Sequence, residues 1–127
     1  MSWLLYLSAE NSHVERLLKT LDPLCVKSNV EICRSPQDFS RRLQRPFLDF
    51  RVMVLFIASK EALREILLLG DFLSDMKIIL VLPDDEQDTR AQGFTLSPRF
   101  TTSMGNDFSN LGDVLKKMLD LYDGPGC

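Results

Sequence analysis

The sequence predicts an α/β fold, a doubly wound, five-stranded parallel sheet in the order 2-1-3-4-5 with helices on both faces. Three observations carry the prediction. The stretch from Val52 to Ala58 is apolar without a break and rich in Val, Ile and Phe. It is too short for a stable helix and lacks alternation, so it reads as a strand buried on both faces, the mark of a parallel sheet under helices. Two further apolar stretches, Trp3–Leu7 and Lys77–Leu82, have the same character. Between them lie segments of helical periodicity with short connections, and right-handed crossovers leave few ways to arrange such units.

With 127 residues the chain reads as one domain, 1–127, ending in a frayed tail over 122–127. A domain of this size buries roughly two-thirds of its unfolded surface and needs neither disulfides nor a metal to fold. The net charge of −3 lacks the basic excess of a nucleic-acid binder. Cys25, Cys33 and Cys127 form no CxxC pair, and His13 is the single histidine. No zinc set is expected from these, and free thiols suit a reducing cytoplasm. Met1–Leu7 is apolar but has no basic leader, and Glu10 follows closely. It reads as neither signal peptide nor membrane span. The expectation is a soluble cytoplasmic protein with no nucleic-acid or membrane partner and no cofactor.

In chain order, Trp3–Leu7 is the first strand. Ser12-His13-Val14-Glu15 has the form of a capping box. Val14, Leu17, Leu18 and Leu21 then recur as one apolar helical stripe, and Pro23 is expected to end that helix. Asn29–Cys33 alternates, as an edge strand does. Ser35-Pro36 places an N-cap before a proline at the first helical position, with Phe39 and Leu43 inward and Pro46 as the stop. Val52–Ala58 is the third strand. Ser59 caps a third helix through Leu69, whose end Gly70 and Asp71 loosen. Lys77–Leu82 is the fourth strand. The acidic Pro83–Asp88 segment opens a weak fourth helix that fades by Gly93. Arg99–Ser103 is the fifth strand, and Asn106 or Asp107 caps a strong last helix. Its apolar face carries Phe108, Leu111, Val114, Leu115, Met118, Leu119 and Tyr122, opposite Lys116 and Lys117.

The order 2-1-3-4-5 puts the most apolar strands, the first, third and fourth, in the middle and the more polar two at the edges. Ligands of such flavodoxin-like sheets sit beyond the carboxyl ends of the strands, at the switch point between strands one and three. The cleft candidates are therefore Ser8, Glu10, Asn11, Ser59, Asp84, Asp85 and Ser103.

This order of elements, from Trp3 to Tyr122, resembles the receiver domain of bacterial response regulators. The resemblance implies acids for Mg²⁺ after the first strand, a phospho-accepting aspartate after the third, Ser or Thr after the fourth, and Lys after the fifth. Here the first strand is followed by Ser8 and Ala9, with only Glu10 near. The third ends Ile57-Ala58-Ser59, the fourth Leu82-Pro83-Asp84, and the fifth reads Thr101-Thr102-Ser103-Met104, without Lys. Phosphoryl transfer needs an anionic nucleophile and a divalent cation. Neither is supplied where the family supplies it, so the resemblance is to a degenerate, pseudo-receiver form.

The remaining polar groups have plain readings beside sharper ones. Asp84, Asp85, Glu86 and Asp88 could bind a hard cation, but acids also favour a first helical turn, and no metal site is expected. Arg34, Arg41, Arg42 and Arg45 form either an anion patch or a solvated helix face. Glu10 and His13 have no third group to complete a triad, so the chain is not expected to be an enzyme. Ser103–Asn106 offers an anion cradle or a simple turn. Phe94, Leu96, Phe100 and Phe108 gather near the fourth helix and fifth strand. The resemblance implies that this face pairs with itself, as a homodimer, or with another protein; their plain reading is core. The sequence thus points to a non-catalytic signalling module acting by protein contact. The alternative is a small-molecule or nucleotide-binding flavodoxin-like domain using the cleft between Ser8 and Ser59.

Overall fold

Alternate side chains of the inner strands are buried against two separate helical layers, and this double burial dictates the architecture. The computed structural model describes residues 2–27, 29–44 and 51–122. The strands are β1 (Ser2–Leu7), β2 (Asn29–Cys33), β3 (Val52–Phe56), β4 (Lys77–Leu82) and β5 (Phe100–Ser103), all parallel, in the order β2-β1-β3-β4-β5. The helices are α1 (Ser12–Lys27), α2 (Pro36–Leu43), α3 (Lys60–Leu67), α4 (Gly70–Leu73), α5 (Gln87–Phe94) and α6 (Ser109–Tyr122). In register, Leu5 lies between Ile32 and Val54, and Val54 pairs in turn with Ile79.

One core joins Trp3, Leu5, Leu7, Val52, Val54, Phe56, Ile79 and Val81 to the apolar faces of α1 and α6. The other joins Leu4, Tyr6, Met53, Leu55, Ile78 and Leu80 to Phe39 and Leu43 of α2 and to Leu63 and Ile66 of α3. Each such side chain, fully buried, contributes about 1.5–3 kcal/mol. On β2, Glu31 and Ile32 are exposed, as an edge allows. Among the described residues no helix is long and apolar enough to cross a membrane.

Several boundaries differ from expectation. Asn11, not Ser12, caps α1: its Oδ1 accepts the backbone N–H groups of His13 at 2.9 Å and Val14 at 3.1 Å. Ser12 is already helical. Pro23 does not end α1 but lies inside it. Pro23 and Lys19 are both exposed, so water can take the carbonyl that the missing N–H leaves free. Ser35 and Ser59 cap α2 and α3 as predicted, each accepting a backbone N–H at 3.1 Å. The third strand stops at Phe56, two residues early, because the Ala58 N–H turns to a side chain instead of a neighbouring strand. The third helix closes at Leu67, and a separate short turn, α4, follows.

Of the acidic segment only Asp88 lies in the first turn of α5, which begins at Gln87, with Glu86 at its N-cap. α5 ends at Phe94, one residue past Gly93; a Cβ at Gly93 would come within 2.9 Å of Leu80 Cδ2, so the glycine lets the helix lie against β4. Asp107 rather than Asn106 caps α6, its Oδ1 accepting from the Ser109 N–H at 2.9 Å. Lys116 and Lys117 face solvent. Pro46, the Tyr122 side chain, Cys127 and the tail beyond Tyr122 lie outside the described residues.

Candidate functional site

The carboxyl ends of the strands bring the predicted cleft residues together, and nearly every polar group there is engaged by a neighbour. Ser8 follows β1. Its N–H donates to the Phe56 carbonyl at 3.0 Å, and its Oγ accepts from the Ala58 N–H at 2.8 Å. The ends of β1 and β3, the two strands that flank the switch point, are thereby tied through one serine. The Asn11 carboxamide and the Ser59 hydroxyl are both spent as helix caps. Ser103 is buried, and its carbonyl accepts the Asn106 N–H at 3.1 Å.

Charged side chains link the loops around this floor. Glu10, in the β1–α1 loop, pairs with Arg34, in the β2–α2 loop. Lys60, at the start of α3, pairs with Glu86, in the β4–α5 turn. That hydrogen bond and the Glu86 charge raise the lysine's pKa, with Asp84 and Asp88 adding to them. Asp84 Oδ1 accepts the Glu86 N–H at 2.9 Å. Its carboxyl is held below the usual range first by the approach of the Thr89 hydroxyl, while the Glu86 N–H and Lys60 add to the effect against partial burial. Thr89 Oγ1 itself is buried without a well-formed hydrogen bond, so that approach is loose. Asp85 is exposed and stands apart, beside Phe94 on a surface cavity of about 460 Å³. The acids thus surround a lysine. Among the described residues no group of three or more His, Cys, Asp or Glu side chains could hold a metal ion.

Arg16 is the functional-end residue that sequence reasoning missed. From α1 it donates to the Met104 carbonyl at 2.8 Å and the Asn106 carbonyl at 3.4 Å, tying the β5–α6 loop down. The same guanidinium lies 2.8 Å from His13 Nδ1 and 4.9 Å from the centroid of the Phe108 ring. An arginine on the flank of an amphipathic helix carries no local signal of a partner some 90 residues away. Glu10 and His13, considered together as an acid–base pair, are instead held by different arginines. The anion cradle at Ser103–Asn106 is closed by the chain itself. Asn106 Nδ2 donates to Thr102 Oγ1 at 3.2 Å, and the Asp107 carboxylate sits at the α6 N-terminus.

The remaining candidates disperse. Arg41 pairs within its own helix with Asp38 at 3.4 Å, and Arg42 is buried against Glu31. Arg45 lies outside the described residues. The four apolar residues near the fifth strand do not form one exposed face. Leu96 and Phe108 belong to the two different cores, Phe100 is half-buried, and only Phe94 of the four is exposed, at 53%. Leu96 follows α5 and turns back under the sheet, whereas Phe108 precedes α6 on the other side; proximity in sequence concealed that separation.

No protein-family model matches the chain, and no curated protein is similar to it in sequence. Solved structures do match. A two-component response regulator from Legionella pneumophila superposes with a TM-score of 0.69 at 15% identity, covering 95% of this chain and 99% of that one. A response regulator from Thermotoga maritima gives 0.68 at 12% identity, over 94% and 98% of the two chains. The fold is that of a receiver domain. A pilus-assembly-related protein from Burkholderia pseudomallei also superposes, with a TM-score of 0.67 at 17% identity over 92% of this chain and 87% of that one. In receiver terms, the rim just described is the end of the sheet where ligands of doubly wound folds bind.

Proposed function

We propose that this chain is a receiver-like signalling module that acts by protein–protein contact and carries out no phosphoryl transfer. The observation that supports this reading most directly is the end of β3. The chain there continues Ile57-Ala58-Ser59, with no carboxylate; Ser59 caps α3, and the Ala58 N–H is held by Ser8. Transfer to a protein side chain requires an anionic nucleophile with a cation to spread the developing charge. Two of the acids on the β4–α5 turn, Glu86 and Asp84, are engaged by Lys60 and by the backbone. What remains available is surface. Around α5 the half-exposed Phe94 adjoins Asp85, Arg90 and Ala91 at a cavity of about 460 Å³, an apolar anchor with a charged rim.

The test is incubation with radiolabelled acetyl phosphate and Mg²⁺, and separately with an active histidine kinase. No hydroxylamine-labile label is expected on the protein. Stable labelling of any carboxylate overturns the reading. Contact through α5 makes its own demand: Phe94→Ser should leave the melting temperature unchanged while weakening capture of a bound protein partner.

A further inference from the structure

A second surface, lined by residues other than those around Phe94, lies at α2 and α3. Between α2 and α3 runs an open groove of about 460 Å³, walled by Pro36, Ser40 and Arg41 on one side and by Glu65, Leu68 and Leu69 on the other. Leu68 is 85% exposed, more than any other large apolar side chain among the described residues, and Phe72 one turn on is 45% exposed. Side chains of this kind normally turn inward. Here α3 ends at Leu67 and Leu68 is its cap residue, so the chain sets the leucine outward on the rim.

From this geometry we infer that the groove is a homodimer interface, in which Leu68 of one copy enters the α2–α3 groove of the other. Charge complementarity points to a second copy as the occupant. The two walls carry opposite charges, Arg41 on α2 and Glu65 on α3, and Glu65 makes no ion pair among the described residues. A two-fold interface brings each patch against an identical one, so it must carry both members of every contact. This patch does: apolar knob, apolar-floored groove, one cation and one anion. Turned by the two-fold, Arg41 of each copy faces Glu65 of its partner, and the exposed Arg41–Asp38 pair it leaves is of the weak, solvent-screened kind. An anionic or cationic partner would complement only one wall. The inference is independent of the phosphoryl question and concerns a different surface from that around Phe94.

Sedimentation velocity from micromolar to near-millimolar protein tests it. A reversible monomer–dimer equilibrium is expected. Leu68→Ser should weaken it by about tenfold or more, as loss of a central apolar anchor does. That side chain is already in solvent in the monomer, so the circular dichroism melt should not change. Arg41→Glu and Glu65→Arg should each weaken the dimer, and the double variant R41E/E65R should restore it, because the opposite charges still meet across the axis. A protein that stays monomeric throughout overturns the inference. So does a dimer indifferent to Leu68→Ser, one lost through Phe94→Ser instead, or a charge-swapped double variant that does not recover.

Discussion

Over 3–7, 52–57 and 78–82 every side chain is buried and none is charged. One or two residues further along, at Ser8, Ser59 and Asp84, the side chains are polar and each is bonded to nearby backbone. The inner strands and the rim above them thus hold together by different means. In the interior, non-directional burial acts over many atoms, so any apolar residue of suitable volume serves and the fold is over-determined. On the rim, each loop is held by one or two directional bonds. Receiver architecture can therefore be kept at identities of 12–17%, while the residues at the strand ends are free to change what they do.

If burial over-determines the interior, a cavity made there should have the largest effect. Leu55→Ala, in the middle of β3 and fully buried between α2 and α3, should cost about 3 kcal/mol in a urea titration, the transfer of the lost atoms plus the cavity left behind. A loss under about 1 kcal/mol would mean that the helices collapse into the gap and the core is loosely packed.

The rim effect is the next in size. Ser8→Ala removes the acceptor of the Ala58 N–H, a partly buried donor with a 2.8 Å bond. It should lower stability by about 1–2 kcal/mol. Hydrogen exchange of the Ala58 amide should accelerate by more than that of the β3 amides, because the loosening is local. Equal acceleration throughout β3 would show that the tie supports the strand, and the distinction between interior and rim would fail there.

The same distinction explains what could be read from the chain. Strand order followed from short right-handed crossovers together with composition, because Val52–Phe56 and Ile78–Leu82 have no polar alternative and belong in the centre. The caps at Ser35 and Ser59 were legible since a cap is a contact over three residues. Asn11 was hidden by the capping-box spacing of Ser12 and Glu15, in which two adjacent residues compete for one role. The end of the fourth helix near Gly93 was legible, but the approach of Leu80 to that glycine was not. On the rim the sheet order places the strand-end residues near one another, with Asp85 standing apart, but their bonds could not be read. Glu10–Arg34, Lys60–Glu86 and Arg16–Met104 join residues 24, 26 and 88 positions apart. Local pattern carries no information about such pairs; the fold alone brings them together.

Tyr6 is where the interior departs from its own rule, and it gives the smallest and most pointed test. Its ring is fully buried and stacked on Phe39, with centroids 4.9 Å apart, yet its hydroxyl has no hydrogen-bonding partner among the described residues. Removing an unpartnered buried hydroxyl should not harm the fold, so Tyr6→Phe is expected to raise stability at neutral pH by up to about 1 kcal/mol. The pH dependence makes the effect unmistakable. Burial, and then the negative charges of Glu65 and Cys33, push the Tyr6 pKa from 10.0 to about 12. Between these values the unfolded chain has lost the phenolic proton and the folded chain has kept it. Stability from this group is therefore complete below the unfolded pKa and falls as pH rises towards the folded one. Urea midpoints measured at neutral pH and again inside that window should drop further for the natural chain than for Tyr6→Phe. Parallel drops in the two proteins would mean that the hydroxyl reaches water, and that β1 is not sealed on both faces.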